Sequence, residues 1–491
     1  MDNPSNPAIT TKSRWMGQYA EGLIWPLWLF VVYHLGEERW LHTDSAYTLF
    51  RILNHQALFY DRFACEFLVW PGQLLTALGA PISIVLQGLN LILTLMAWAT
   101  WIAFARHKHR WILFLLIICG GSELFFIGYS EIGLCTWAFL CTLLLIDNPP
   151  KQTTQVWQTA GVFLCILILL FSHPAGWLYL PVIIALSLHR MSRKSLGIMS
   201  ASLCIALILK SVIFPSNAYD SGLYQTLSNP ETWLNFFQLL SVNYLLGASW
   251  FFIPAVTALA CFALGLSKPW RWVSAAFFFI ILSDTIVAVV IYAKGDAHIN
   301  MEKFFYPIGV LALLSISVYL WGSQEPQHSA YRLKFIMAKQ REISKSMIGI
   351  LPWFLSINML LGIQKYSPDY SNRKAQLQSL TASMPGAKMM AHYDTLSARI
   401  FPGSLWGLSY ETALITAINK ERTGEPSTLK SMKAMTSQEL ADWGETQKKI
   451  GDSLLIGAPF EMPQRIDRLN RRYFEFEQGT TYQLWNPAAN R

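Results

Sequence analysis

The sequence predicts a polytopic α-helical membrane protein of about eleven spans, closed by a small C-terminal extracytoplasmic α/β domain. Three observations carry that expectation. Apolar stretches close to the roughly 20 residues that cross a bilayer recur through most of the 491 residues. Lys and Arg gather on alternate connections between them. Finally, 53% of the residues are hydrophobic, 14% are charged and 20 are Trp, a composition that suits bilayer-embedded helices with interfacial aromatic anchors. The formal charge of +8 serves orientation. No basic run is interleaved with stacking aromatics on a soluble segment, which excludes a nucleic-acid footprint.

The spans are read at 18–36, 81–105, 111–124, 130–146, 156–172, 175–189, 195–214, 247–267, 270–293, 304–322 and 347–363. Arg106 to Arg110, Arg190 to Lys194, Lys268 to Arg271, and the stretch holding Arg332, Lys334, Lys339, Arg341 and Lys345 are even-numbered connections, so the positive-inside rule makes them cytoplasmic. The chain is then expected as a multi-pass protein of the plasma (inner) membrane, with a cytoplasmic tail at 1–17 and the segment 364–491 outside. Residues 1–15 are polar and no small-residue cleavage site follows the first span, which predicts a retained helix. Cys119, Cys135, Cys141, Cys165, Cys204 and Cys261 fall inside spans and the tail has no Cys, so no disulfide framework is expected.

Two external segments are large. In the first, 37–80, Leu49, Ile52 and Leu53 recur at helical spacing while Asp44, Tyr47 and Arg51 share the opposite face, which predicts a helix over 45–54. A second helix is expected from Arg62 to Leu78 around Pro71. Flanked by Trp40 and Trp70, both would lie along the membrane surface with their polar faces turned toward whatever sits above the bundle, as roof and wall of a site. In the tail, an amphipathic run at 373–383 precedes a strand-like 387–392 and a helix-like 410–419, and strands are expected again at 452–459 and 472–477. Such alternation predicts a small α/β module.

A first span, a long external loop opened by an Asp, horizontal helices, close-set third and fourth spans and an exported C-terminal domain together resemble the GT-C superfamily of membrane glycosyltransferases. The segment Asp44 to Leu75, with Phe50, Arg62, Pro71 and Gln73, is similar to that of bacterial members. The resemblance covers about residues 18–320 as architecture and rests on topology more than on a motif. It implies transfer of a sugar from a polyprenyl-phosphate carrier to an acceptor glycan, lipid or protein at the outer membrane face. Where many members have two nearby acidic residues, this loop has Asp44 and Ser45. A divalent metal is therefore left open, and no other cofactor is implied.

The residues fit that chemistry on their own terms. A hydroxyl acceptor needs a base, for which Asp44 is the candidate. The same Asp, just ahead of the expected helix, is equally placed to act as its N-cap. A departing lipid phosphate needs cations. Arg51, Arg62, Lys294 and Lys303 lie on the expected external side, with His298 between the last two. His173, before Pro174 in the short connection 172–176, either donates to a phosphate or sugar hydroxyl or simply ends a helix. Between Trp111 and Ile146 there is too little chain for two full spans and a turn, so the hairpin is expected to be short or partly re-entrant. Its tip carries the carboxylates Glu123 and Glu131, which line a wet cavity or bind a cation or a basic neighbour such as Arg51, or else form an ion pair or helix cap that merely fixes the hairpin. Lys210, near the outer end of its span, reads as a snorkelling anchor.

Asp284, mid-span, must face the interior and is the feature that would favour a transporter or flippase of lipid-linked or polar substrates. A non-catalytic membrane subunit that docks a partner through its exported domain is the third reading. The absence of a Walker-type phosphate loop disfavours a cytoplasmic nucleotide-activated donor.

Overall fold

The structure is a computed structural model. It describes residues 25–56, 60–105, 131–147, 155–173, 193–214, 370–383, 387–392, 407–420, 428–432, 454–456, 466–476 and 482–484, with isolated positions between them. Helix α1 covers 25–34 and is followed by a 3-10 turn, Glu38–Trp40. Helices α2 (Thr43–Leu53), α3 (Glu66–Ala77) and α4 (Ile82–Ala103) come next. The α3–α4 pair closes tightly because Gly72 lies against Leu89, where a Cβ would come within 2.8 Å of Leu89 Cδ2, and Gly88 faces the end of Leu75. The turn between them is a Schellman motif: Gly79 at φ +75° donates to the Thr76 carbonyl and Ala80 donates to that of Leu75, both at 2.9 Å.

Helices α5 (Glu131–Asp147) and α6 (Gln155–Ser172) form an apolar hairpin. Ala138, Phe139 and Leu144 on one side and Ile166, Leu169 and Leu170 on the other are fully or almost fully buried. Helix α7 (Arg193–Ile208) packs on α6 and runs into a π-helical turn, Leu209–Ile213. Among the described residues, one helix, Ile82–Ala103, is long and apolar enough to cross a membrane; Gly133–Ile146, Trp157–Ser172 and Met199–Ile213 are shorter apolar stretches.

In the tail, helix α8 (370–382) leads to strand β1 (Lys388–His392), helix α9 (Leu408–Lys420) and strand β2 (Thr428–Met432). β1 and β2 are parallel, in register Lys388 with Thr428, so α9 is the crossover of a β–α–β unit. Strand β5 (Tyr482–Leu484) adds in parallel on the other edge of β1, giving the order β2-β1-β5. β3 (Leu454–Ile456) and β4 (Ile466–Arg468) pair antiparallel in a separate ribbon.

One sequence expectation changes here. Of the expected strand 472–477, the described residues 472–476 continue a turn through 471–473 and then run as irregular chain. Their alternation arises because Tyr473, Phe474 and Phe476 are buried by packing, with no strand partner. Every side chain described from Ser45 to Leu53 of helix α2 is buried, Tyr47, Thr48 and Arg51 included. The tail covers it. Leu408, Tyr410, Leu414 and Phe474 share one apolar cluster with Leu49, Phe50 and Leu53 of α2 and with Leu86 and Leu89 of α4.

Candidate functional site

Around α2 the site is built by three segments far apart in sequence. Trp40 donates its indole N–H to Asn90 Oδ1 at 3.0 Å, and Asn90 donates in turn to the Gly36 carbonyl at 2.9 Å, so a polar residue of α4 fixes the turn that leads into α2. The N–H of Gly128 donates to the Arg39 carbonyl at 2.8 Å, and Gly128 lies so flat on the Trp40 ring that a Cβ would come within 2.8 Å of it. The hairpin tip and the start of α2 are therefore tied together. Arg39 is buried beneath them with its guanidinium over Trp28 at 5.7 Å. Burial lowers it to about 10, and nearby Tyr370 acts in the opposite sense.

Asp44 stands one residue inside α2. The N-cap position is His42, in extended conformation at φ −125° and ψ 127°, so the capping reading of Asp44 is corrected. Two turns on, Arg51 donates to the Tyr47 hydroxyl at 2.6 Å and lies over the same ring at 5.4 Å. The α2 helix ends in a second Schellman motif with His55 at φ 54° in place of a glycine.

Glu131 was expected to meet a cation such as Arg51; it pairs with Arg62 instead. The reason is positional. The 3-10 segment Tyr60–Cys65 crosses the end of α6, where Cys65 Sγ donates to the Ser172 carbonyl at 3.3 Å, and this delivers Arg62 to the first turn of α5. Arg62 leaves helical geometry there, at φ −121° and ψ 35°. The pair is largely buried, with 8% and 15% of its side chains exposed. His173 follows α6 and is half-buried; its carbonyl accepts the N–H of Gly176 at 2.9 Å and lies 3.8 Å from the Cys135 thiol. Glu123, Lys294, His298, Lys303 and Asp284 lie outside the described residues. Among the described residues, no three His, Cys, Asp or Glu side chains converge as a metal site requires.

Sequence reasoning missed the tail's part. The Asn470 amide donates to the Leu53 carbonyl at 2.8 Å, Tyr473 donates to that of Ala80 at 2.8 Å, and Arg472 donates to that of Gly79. One short turn thus supplies donors to the exposed carbonyl ends of both α2 and α3. The aromatic residues seat beside it, with Phe474 and Tyr410 at 5.1 and 4.9 Å from the Phe50 ring. Lys374 of α8 crosses to the first loop with ion pairs to Glu37 and Glu38 at 3.2 and 3.0 Å, and Arg373 of α8 pairs with Glu411 of α9 at 2.8 Å within the tail. The polar and aromatic mixture Asn470-Arg-Arg-Tyr-Phe474 was the available signal, and it resembled a strand. Compared with family models, curated proteins and solved structures, the chain matches none of them.

Proposed function

We propose that this protein is a GT-C-type membrane glycosyltransferase that moves a sugar from a polyprenyl-phosphate carrier to an acceptor at the extracytoplasmic face. The observation that carries the reading is the enclosure of α2. The helix bearing Asp44 and Arg51 is walled by the tail on one side and by α3 and α4 on the other, with the Gly128 segment tied to the turn that leads into it. A reaction that must exclude water from a sugar cation and its leaving phosphate calls for such a covered setting.

The topology read from charge supports it. Loop 37–80 and the tail pack together, so any membrane between them must be crossed an even number of times, as eleven spans require. The ends of α5, α6 and α7 near residues 131, 172 and 214, all assigned outside by the basic connections, meet the same loop: Phe63 packs on Phe171 and Phe214 at 4.7 and 5.2 Å. In this reading Asp44 takes the acceptor proton and the cations of the external side stabilise the leaving phosphate. The tail's apolar residues Leu408, Tyr410, Leu414 and Phe474 are occupied by this chain's own loop, which argues against that face as a partner dock.

The test is Asp44→Asn, assayed for sugar transfer from polyprenyl-phosphate sugars by the protein in nanodiscs. The substitution keeps the shape and removes the basicity, so transfer should be abolished while thermal unfolding is unchanged. Full transfer by the variant overturns the assignment of the base.

A further inference from the structure

We infer that Lys210 and Arg62 together form an anion site for a phosphate head group at the common end of α5, α6 and α7. Lys210 is 7% exposed, far from the surface anchor its place in the sequence suggests. It lies within the π-helical turn Leu209–Ile213 that continues α7. Its ammonium lies over the Phe171 ring at 5.5 Å. Phe171 is also the ring on which Phe63, the neighbour of Arg62, packs at 4.7 Å. Through Phe63 and Phe171, the two buried cations Lys210 and Arg62 and the carboxylate paired with Arg62 are brought to the same end of α5, α6 and α7.

That arrangement suits a phosphate. Glu131 orients the planar Arg62 fork, which carries five N–H donors, and Lys210 adds a compact charge from another helix. The aromatic floor of Phe63, Phe171 and Phe214 suits the first carbons of an apolar chain attached to that phosphate. The lipid source of the phosphate rests on the proposed donor class.

The experiment measures binding of a polyprenyl monophosphate and of the matching polyprenol to the full chain in nanodiscs, with Lys210→Met, Lys210→Arg and Arg62→Gln beside the unmodified protein. Loss of one charge-assisted contact should weaken monophosphate binding about tenfold or more in Lys210→Met and Arg62→Gln. Lys210→Arg should retain most of it, and the uncharged polyprenol should bind all four proteins alike. Equal monophosphate affinity in all four, or parallel loss of polyprenol binding, overturns the site. Direct binding of millimolar inorganic phosphate, weakened in Lys210→Met and Arg62→Gln, with no binding of the lipid form would keep the anion site and remove its lipid source. Asp44→Asn separates the two proposals, because it should bind the monophosphate normally while failing in transfer.

Discussion

The outer face of α4 and the joint between α2 and the tail are both rich in large apolar side chains, yet they treat them oppositely. On α4, Ile84, Leu91, Leu95, Trp98 and Ile102 are turned outward, and Leu91 is 59% exposed. At the joint, Leu49, Phe50, Ile52, Leu53, Tyr410 and Leu414 are sealed, together with the charged pair Arg373 and Glu411. Leaving one such apolar side chain in water forfeits about 1.5–3 kcal/mol, so five along one helix describe a surface suited to a solvent other than water. Charges at the joint are buried only with partners. The difference is what the proposed membrane reading calls for, an outer face of α4 against lipid and a joint sealed beneath the tail.

The largest expected effect tests the joint. Arg373→Ala leaves the fully buried Glu411 carboxylate without its guanidinium, which should destabilise the tail by about 3–5 kcal/mol. Limited proteolysis should then cut the tail of the variant well before that of the unmodified protein; identical digestion would mean the pair is not holding α8 on α9.

The opposite face is tested by Leu91→Asp. In water an exposed Leu to Asp change is close to neutral, but near the middle of a membrane span it should lower insertion by about 2.5–3.5 kcal/mol. Arg471→Ala, exposed in the tail, serves as the contrast and should change stability by no more than about 0.5 kcal/mol. If both variants insert and melt like the parent, the face of α4 is not in lipid.

Asn90 joins the two regions, since it sits on α4 and holds the turn before α2. Asn90→Leu strips the partner from the Trp40 indole N–H and the Gly36 carbonyl and should cost about 1–3 kcal/mol. A red-shifted Trp emission with a lowered unfolding midpoint would show that the turn has loosened, and an unchanged midpoint would show that α2 is held by the tail alone.

The smallest effect has the opposite sign. His55 ends α2 in the left-handed region, which a side chain other than glycine enters at about 1–2 kcal/mol. His55→Gly removes that cost and gives back part of it through the entropy of the unfolded chain, for a net gain of roughly 0.5–1 kcal/mol in thermal unfolding. A loss of stability would indicate that the His55 side chain contributes more than its backbone costs.

The helices of the hairpins were legible in outline. Ile82–Ala103 and Gln155–Ser172 lie within a few residues of the apolar runs at 81–105 and 156–172, because runs apolar on every side leave few alternatives to a buried helix. The tail's first strand and α9 were visible for a similar reason, as a short apolar run and a helical period bounded by polar residues. β2, Thr428–Met432, carries Lys and Ser among its five residues and offers no such pattern. The site was legible only as an inventory of residue types. Glu131 invited a cation, but Arg51 and Arg62 are equally basic in sequence, and the choice fell to the 3-10 segment that crosses the end of α6.

By itself, then, the sequence determined what each segment is made of: its period, its apolar length and the sign of the charge beside it. These follow from interactions within a few residues, which a linear pattern records. The tertiary structure alone decided that His42 and not Asp44 stands at the N-cap position of α2, that Arg62 holds Glu131, that Lys210 is buried, and that the turn at Asn470 to Tyr473 completes two helix ends in the first loop. Asn470 stands 417 positions from Leu53, whose carbonyl it meets. Contacts over such separations depend on the whole packing arrangement, and no local periodicity encodes them.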